Sequence, residues 1–386
     1  MHVKHLNLIN FRNYDSVDLP LDQGVTVLVG RNGQGKTNLV EAIHYAATLG
    51  SHRVAGYVPM INSESTQAVI RLLAGFEDRE NLIELELNSG ANNRARVNRG
   101  DLSRVRDVLG YVSAVIFAPE DLVIVKGDPS DRRHFIDDLL VQFSPRLSGT
   151  LADYERVLKQ RNTLLKTSRN LANDSPGLAT LDAWDESLIE LGSEIIVQRF
   201  LLIEKLRPYL DEAYKAISEE KNNPAISLKT SVLAKSLDTE IDQPTLDSGD
   251  KTEIMTAFKT KLAELRSKEL ERGITLAGPH RDDLFLQLGS LPAKGYISHG
   301  ETWSFALALK LASARLLKAE ARAGDPILIL DDVFAELDTV RRSRLVDLIS
   351  DYEQVIITAA VFEDIPTQIR AKRFTVTDGK VEAIDE

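Results

Sequence analysis

Two stretches of this chain can do chemistry. Residues 30–37 read GRNGQGKT, and residues 327–332 read ILILDD. In the first, Gly30, Arg31, Asn32, Gly33, Gln34 and Gly35 form a glycine-rich turn whose backbone N–H groups can wrap a triphosphate, the glycines clearing side chains from its path. Lys36 would then reach the β- and γ-phosphates, and the Thr37 hydroxyl would ligate Mg²⁺. In the second stretch, Asp331 could hold the same Mg²⁺ through water, while Asp332 could polarise an attacking water. The bland alternative for Asp332 is a cap on the segment that follows. Lys36, Asp331 and Asp332 are thus the candidate catalytic residues, with ATP and Mg²⁺ as cofactors. Thr37 and Asp331 stand 294 positions apart, so the middle of the chain must loop out and return.

The elements around these residues suit that chemistry. Residues 25–29 are a short apolar run ending at Gly30. Residues 38–49 carry Leu39, Ile43, Ala46 and Ala47 at helical spacing, with Gly50 as the predicted C-terminal glycine. The loop therefore falls between a strand and a helix, whose N-terminus favours an anion. Residues 327–330 are apolar on both faces, as a central parallel strand requires, and Asp331 follows at its carboxyl end, where open α/β sheets bind ligands. Further strands are predicted at 3–9, 68–73, 82–87, 114–117, 284–288 and 355–358, with a hairpin over 374–384 turning at Asp378-Gly379. Leu151, Tyr154, Leu158 and Leu165 mark one amphipathic helix; Trp184, Leu188, Leu191, Ile195 and Ile196 mark a second. Residues 222–246 read as a loop or hairpin. The organisation is an α/β ATPase head in two halves, 1–143 and 273–386, around a helical insertion lobe, 144–272.

Composition narrows the setting. At 386 residues, with 43% hydrophobic and 27% charged residues, the chain reads as an ordinary globular protein of two or three domains. No apolar run approaches the roughly 20 residues that span a bilayer, and the first residues lack a signal-peptide core. Zero cysteines exclude disulfides and thiolate metal sites. We expect a cytoplasmic protein with no membrane partner. A net charge of −11 argues against bulk attraction to nucleic acid but leaves room for a local basic surface. Residues 92–106 are the best candidate, with Arg94, Arg96, Arg99, Arg104 and Arg106 against Asp101; a solvated hairpin is the alternative.

A second anion cradle stands at Ser298-His299-Gly300-Glu301, ahead of a helix at 302–317 that is apolar almost all round. Alone, such a turn is usually an ordinary helix cap. One ATP already has its cradle at residues 30–37, so a second makes sense if it serves ATP held by a second copy.

Together, the phosphate loop, the 298–301 turn, the acidic strand end and Ala335-Glu336-Leu337-Asp338 resemble the ATP-binding-cassette heads of the SMC class. LxNFRNY at 8–14, APEDLVIVKGDPSDRRHFID at 118–137 and LAGPHRDDL at 276–284 resemble the RecF family of bacterial recombination-repair proteins more closely. The resemblance covers nearly the whole chain and is weakest over 168–255. It implies an SMC-like head with a helical lobe in place of a long coiled coil. It further implies an ATP-dependent homodimer in which Ser298 and Gly300 of one copy contact the γ-phosphate held by Lys36 of the other, with Asp338 across the interface. It implies binding to double-stranded and gapped DNA, work with RecO and RecR in loading RecA, and a place in the SOS response; slow, switch-like hydrolysis is suggested by Asp332 in place of a longer glutamate.

Several positions depart from the wider cassette pattern. Asp332 stands where a glutamate is usual, Thr358-Ala359-Ala360 where transporters carry a histidine, and Glu301 where a glutamine is common. Residues 118–121 (APED) replace the usual glutamine, which leaves the metal-sensing residue there unassigned. Arg12 could touch the α-phosphate or base, or simply lie on the surface. Arg132-Arg133 could bind DNA phosphate or pair with Asp128 and Asp131. His280-Arg281-Asp282-Asp283 reads as a structural loop near the nucleotide, and His44 and His134 as ordinary helix histidines. Arg94, Arg96 and Arg99 are the candidate DNA contacts. Competing functions are a transporter ATPase, an SMC-type chromosome-tethering or nuclease-driving head, and a scaffold with a merely structural ATP site. The missing histidine weighs against the first. Against the second, a lobe of 129 residues, even fully helical and folded back once, extends only about 90 Å at about 1.5 Å per residue. Asp332 weighs against the third.

Overall fold

The computed structural model describes residues 1–168, 176–218, 222–234, 245–247, 249–320 and 324–384. The chain forms two compact units. The first comprises Met1–Leu122, Tyr209–Asn223 and Ser298–Glu386, and the second Val123–Pro208 and Pro224–Ile297. The lobe is therefore larger than the sequence boundaries of 144 and 272. It takes in the helix Pro129–Phe143 and the strand Asp283–Leu288, which the sequence reading had assigned to the head.

The head unit is built from two six-stranded sheets. One is antiparallel and runs, edge to edge, through Tyr14–Pro20, His2–Phe11, Gln67–Phe76, Arg79–Asn88, Arg94–Val97 and Gly100–Asp101. The other runs Lys380–Ile384, Ala371–Thr377, Gly24–Val29, Gln354–Ala359, Ile327–Asp331 and Ala114–Phe117, and is parallel except at its first edge. The helix Lys36–Thr48 buries side chains nearly all round. Leu39, Ala42, Ile43 and Ala46 share one core with Leu6, Leu8, Ile70 and Leu85 of the first sheet and with Ile116, Ile329 and Ile356 of the second. Contact with both sheets explains why so little of the helix is exposed, even along its polar stripe of Thr37, Glu41, His44 and Thr48. Its end differs from the sequence expectation. Leu49, at φ 56°, takes the left-handed cap and donates its N–H to the Tyr45 carbonyl, so Gly50 is not the capping residue.

The strand predictions hold at each position named, and the hairpin turns at Asp378 (φ 47°) and Gly379 (φ 73°) as expected. The helix predicted at 302–317 runs His299–Glu320 with Trp303, Phe305, Leu309 and Leu316 buried. Within 222–246, the described part contains a strand, Pro224–Lys229, paired antiparallel with Asp283–Leu288; residues 235–244 lie outside the described residues. No helix among the described residues is long and apolar enough to cross a membrane.

The lobe unit is pinned by buried guanidinium groups. Arg161, wholly buried, donates to Glu269, Asp185 and Thr275. Arg199 holds Asp137 through two hydrogen bonds of 2.7 Å and donates to the Pro279 carbonyl. Such groups are tolerated inside a protein only when paired and hydrogen-bonded.

Candidate active site

The central strands bring the two remote motifs together. Gly24–Val29 and Ile327–Asp331 both pair in parallel with Gln354–Ala359 between them, so the phosphate loop and Asp331 emerge from the same sheet end. The loop backbone is one only small residues can follow. Gly33 and Gly35 have φ of 84° and 112°, and a Cβ on Gly30 would lie 2.1 Å from the Val376 carbonyl oxygen. The hairpin turn braces the loop, with the Asp378 N–H donating to Gln34 Oε1 at 2.5 Å. Beside it opens a cavity of about 580 Å³ lined by Gly30, Arg31, Gln34, Phe362, Thr377 and Asp378, a size that suits part of a nucleotide.

Lys36 is folded over the loop. Its ammonium donates to the Gly30 carbonyl at 2.8 Å and stands 4.0 Å from Asp332 Oδ1. Thr37 Oγ1 donates to Asp331 Oδ1 at 3.1 Å. The buried Thr358 hydroxyl donates to the same oxygen at 2.5 Å and accepts the Asp332 N–H at 3.0 Å. Thr358 therefore orients the Asp331 carboxylate and anchors the Asp332 backbone from the middle strand. Burial pushes the Asp331 carboxyl up to about 6; Asp332 adds to that shift, and the Thr358 and Thr37 hydrogen bonds oppose it. Asp332 sits at φ 52°, a left-handed conformation that aspartate tolerates better than most residues, and is about one-third exposed.

The magnesium expectation can be tested on the donors present. Thr37 and Asp331 offer hard oxygen atoms close together, as Mg²⁺ prefers. No cluster of three His, Cys, Asp or Glu side chains among the described residues could hold a metal without other ligands. An ion bound jointly by two protein oxygens and a nucleotide's phosphates fits this set.

Arg12 is engaged by protein partners. Its guanidinium grips the fully buried Glu41 carboxylate at 2.8 and 2.6 Å and donates to the Pro59 carbonyl. The physical reason is on the helix: Glu41 faces the core, and a buried carboxylate needs a cation. Burial raises the Glu41 carboxyl, yet hydrogen bonds from Arg12 and Ser51, with the Arg12 and Arg53 charges, outweigh it and hold it below the ordinary value. The residues at 118–121 also have structural partners. Asp121 accepts the Ala118 N–H at 2.9 Å and pairs with Lys310, from the helix His299–Glu320, at 2.8 Å.

Ser298 and Glu301 form a reciprocal cap: the Ser298 N–H donates to Glu301 Oε2 at 2.7 Å, and the Glu301 N–H to Ser298 Oγ at 3.2 Å. Gly300 faces the Arg341 guanidinium, 3.4 Å from where a Cβ would stand, and Arg341 NH1 donates to Asp338 at 3.2 Å. Ser298, Gly300 and Asp338 thus form one neighbourhood, with Ser298 and Asp338 exposed.

The basic stretch is neutralised at one position where it lies in the sheet. Arg96 is paired with Asp101 at 2.6 Å and stands opposite Glu84, while Arg94 stands opposite Glu86. One continuous row crosses all six strands: Asp18, Asn7, Arg71, Glu84, Arg96, Asp101. Arg94 and Arg99 are exposed and have no carboxylate partner among the described residues.

Other expectations change partner. Arg132 pairs with Asp283 at 2.7 and 3.0 Å, and Arg133 donates to the Asp282 carbonyl, because Asp128 and Asp131 are occupied in capping the helix Pro129–Phe143. The 280–283 segment is structural, as read, but its partners are in the lobe: Tyr154 bonds His280, and Thr230 and Ser231 bond Asp282. His134 pairs with Asp138 one turn along, and His44 is buried beside His52. Sequence reasoning missed Thr358 as an orienting residue, although its place where transporters carry histidine was a signal. It also missed Glu41, a fully buried carboxylate on the polar stripe Thr37, Glu41, His44 and Thr48 of the helix, and His52, which had no local signal.

The family model for the RecF/RecN/SMC N-terminal domain matches residues 2–377. A protein of Streptomyces avermitilis described as "DNA replication and repair protein RecF" is 50% identical over 387 residues, covering 100% of both chains. One of Clavibacter sepedonicus with the same description is 49% identical and covers 99% of this chain and 95% of its own. Among solved structures, the recombination mediator protein RecF with ATP, in the RecFOR pathway, matches with TM-score 0.87 at 28% identity, over 100% of this chain and 98% of that one. An Smc head of Pyrococcus furiosus bound to the C-terminal domain of ScpA matches with TM-score 0.52 at 17% identity, over 99% and 96% of the two chains, a likeness of fold alone.

Proposed function

Because the chain belongs to the RecF family, we propose that it is an ATP-dependent DNA-binding protein of replication and recombinational repair, acting in the cytoplasm on double-stranded and gapped DNA. The observation that carries this reading is the meeting of Lys36, Thr37, Asp331 and Asp332 at one sheet end. ATP would lie along residues 30–37, its γ-phosphate replacing the Asp332 carboxylate as the partner of Lys36. Magnesium, when bound, would neutralise phosphate charge between Thr37 and Asp331. Asp332, its backbone anchored by Thr358, would orient the attacking water. Its carboxylate is the least buried of the acids here and the one free to approach solvent.

Ser298, Gly300 and Asp338 would serve the ATP of a second copy, so nucleotide binding joins two chains and hydrolysis releases them. Slow, DNA-dependent turnover suits such a switch. RecR and RecO are the expected partners in loading RecA, on the strength of the family. Arg94 and Arg99 are the stronger candidates for DNA phosphate, since Arg96 already has Asp101. Two measurements test the proposal together. Light scattering should show the mass doubling with ATP and Mg²⁺, and titration on gapped and blunt duplexes should show ATP-dependent binding. A chain that stays monomeric with saturating nucleotide, or binds DNA equally without it, refutes the switch.

A further inference from the structure

The residue facing the free side of Asp331 is His52, outside both motifs. Its side chain is 5% exposed, and neither ring nitrogen has a hydrogen-bond partner among the described residues. An orphaned buried N–H costs about 1–3 kcal/mol, so the arrangement implies a partner that arrives later. Whether neutral or protonated, an imidazole has at least one N–H to donate. Its Nε2 points at Asp331 Oδ2 across 4.0 Å, about 1 Å beyond a direct hydrogen bond.

The surrounding chain holds His52 there. Arg12 fixes Glu41; Glu41 accepts the Ser51 hydroxyl at 2.5 Å; Ser51 Oγ in turn accepts the N–H groups of Arg53 and Val54 at 3.1 and 3.3 Å. His52 is thus the middle residue of a pinned turn. On the acid itself, Oδ1 already accepts two hydroxyls, from Thr37 and Thr358, which leaves Oδ2 to be oriented by something else. The segment at 118–121 does not supply it, because Asp121 is occupied by Lys310 and Ala118.

We propose that His52 is a positioning residue of the magnesium–nucleotide site, donating Nε2–H to Asp331 Oδ2 when Mg²⁺ and ATP enter. This rests on the reading of residues 30–37 as an ATP loop. Groups that orient a metal-bound carboxylate typically change metal affinity by about 10- to 100-fold.

The test titrates Mg²⁺ against binding of a fluorescent, non-hydrolysable ATP analogue, with no turnover involved. His52→Phe keeps a ring and removes the donor; His52→Gln keeps an amide N–H at similar reach. His52→Phe should raise the half-saturating Mg²⁺ concentration about 10- to 100-fold while leaving Mg²⁺-free affinity unchanged, and His52→Gln should restore most of the loss. An unchanged Mg²⁺ requirement in His52→Phe overturns the proposal. So does a Gln variant as impaired as Phe, or an equal loss without Mg²⁺, which would signify packing alone. If His52→Phe does not fold, imidazole ¹⁵N–¹H spectra of the unaltered protein decide. The His52 N–H proton should move downfield on adding Mg²⁺ and the analogue, and a stationary resonance overturns the proposal. An unaltered protein that bound no nucleotide would overturn the ATP-loop reading as well, so the two failures are distinguishable.

Discussion

Arg12→Ala separates two roles for one arginine. The sequence allows Arg12 to touch nucleotide, whereas the structure commits it to Glu41, with two hydrogen bonds of 2.8 and 2.6 Å to a carboxylate that is 0% exposed. Removing one partner of a buried ion pair costs about 3–5 kcal/mol. Ser51 at 2.5 Å and Arg53 at 3.7 Å remain to share the charge, so the lower end, about 3 kcal/mol, is expected. Replacing both residues by leucine should lose less than the single change, because no charge is left stranded. A cycle of the four proteins, unfolded in urea at neutral pH, should give a coupling of about 2–3 kcal/mol. The pH dependence has a definite sign. The folded Glu41 pKa lies below its ordinary 4.5, so the pair's stabilisation is present above 4.5 and is lost as pH falls through the folded value. The gap between unaltered protein and Arg12→Ala should therefore narrow in acid. The reasoning is refuted if Arg12→Ala loses less than about 1 kcal/mol yet binds ATP tenfold more weakly, since that pattern belongs to a nucleotide contact.

Three further outcomes are expected. Asp332→Asn should bind ATP normally, hydrolyse it at least about 100-fold more slowly and prolong the dimer on DNA, as quench-flow and sizing measurements would show; normal hydrolysis would remove Asp332 from the reaction. Charge reversal at Arg94 or Arg99 should weaken DNA binding and flatten its salt dependence more than reversal at Arg96, whose charge is already met by Asp101; equal effects would contradict the pairing. In the lobe, burial raises the Asp282 carboxyl from 3.8 to about 6, so folding with it ionised is penalised. Stability from this group is full below pH 3.8 and falls by about 3 kcal/mol as pH rises through 6, and the difference between unaltered protein and Asp282→Asn over that window should show the slope.

The parts of the site legible in the sequence are those built from neighbours in the chain. A glycine turn, a lysine and a threonine define the phosphate loop locally, and four consecutive apolar residues before Asp331 mark a buried strand end without tertiary knowledge. The Asp378-Gly379 turn is equally local, since only its own backbone must go left-handed. What remained hidden depends on which remote group arrives. Nothing near Arg12 in the chain announces that Glu41, a full helix turn into the core, would need its charge. Arg132 has two acids at hand, but both are consumed by the helix cap, so its partner comes from Asp283, 151 positions away. Gly50 was the obvious stop for the first helix, yet Leu49 takes the left-handed cap, and Gly50 is held by the Thr48 hydroxyl.

The backbone at Asp332 turns with φ 52°. That twist favours a short acid at the position without excluding a longer one. Aspartate and asparagine enter left-handed geometry readily, and longer side chains less so. Glutamate is not barred from such geometry, since Glu77 of this chain has the same φ of 52°, so installing one at 332 would test the added methylene on an unchanged peptide path.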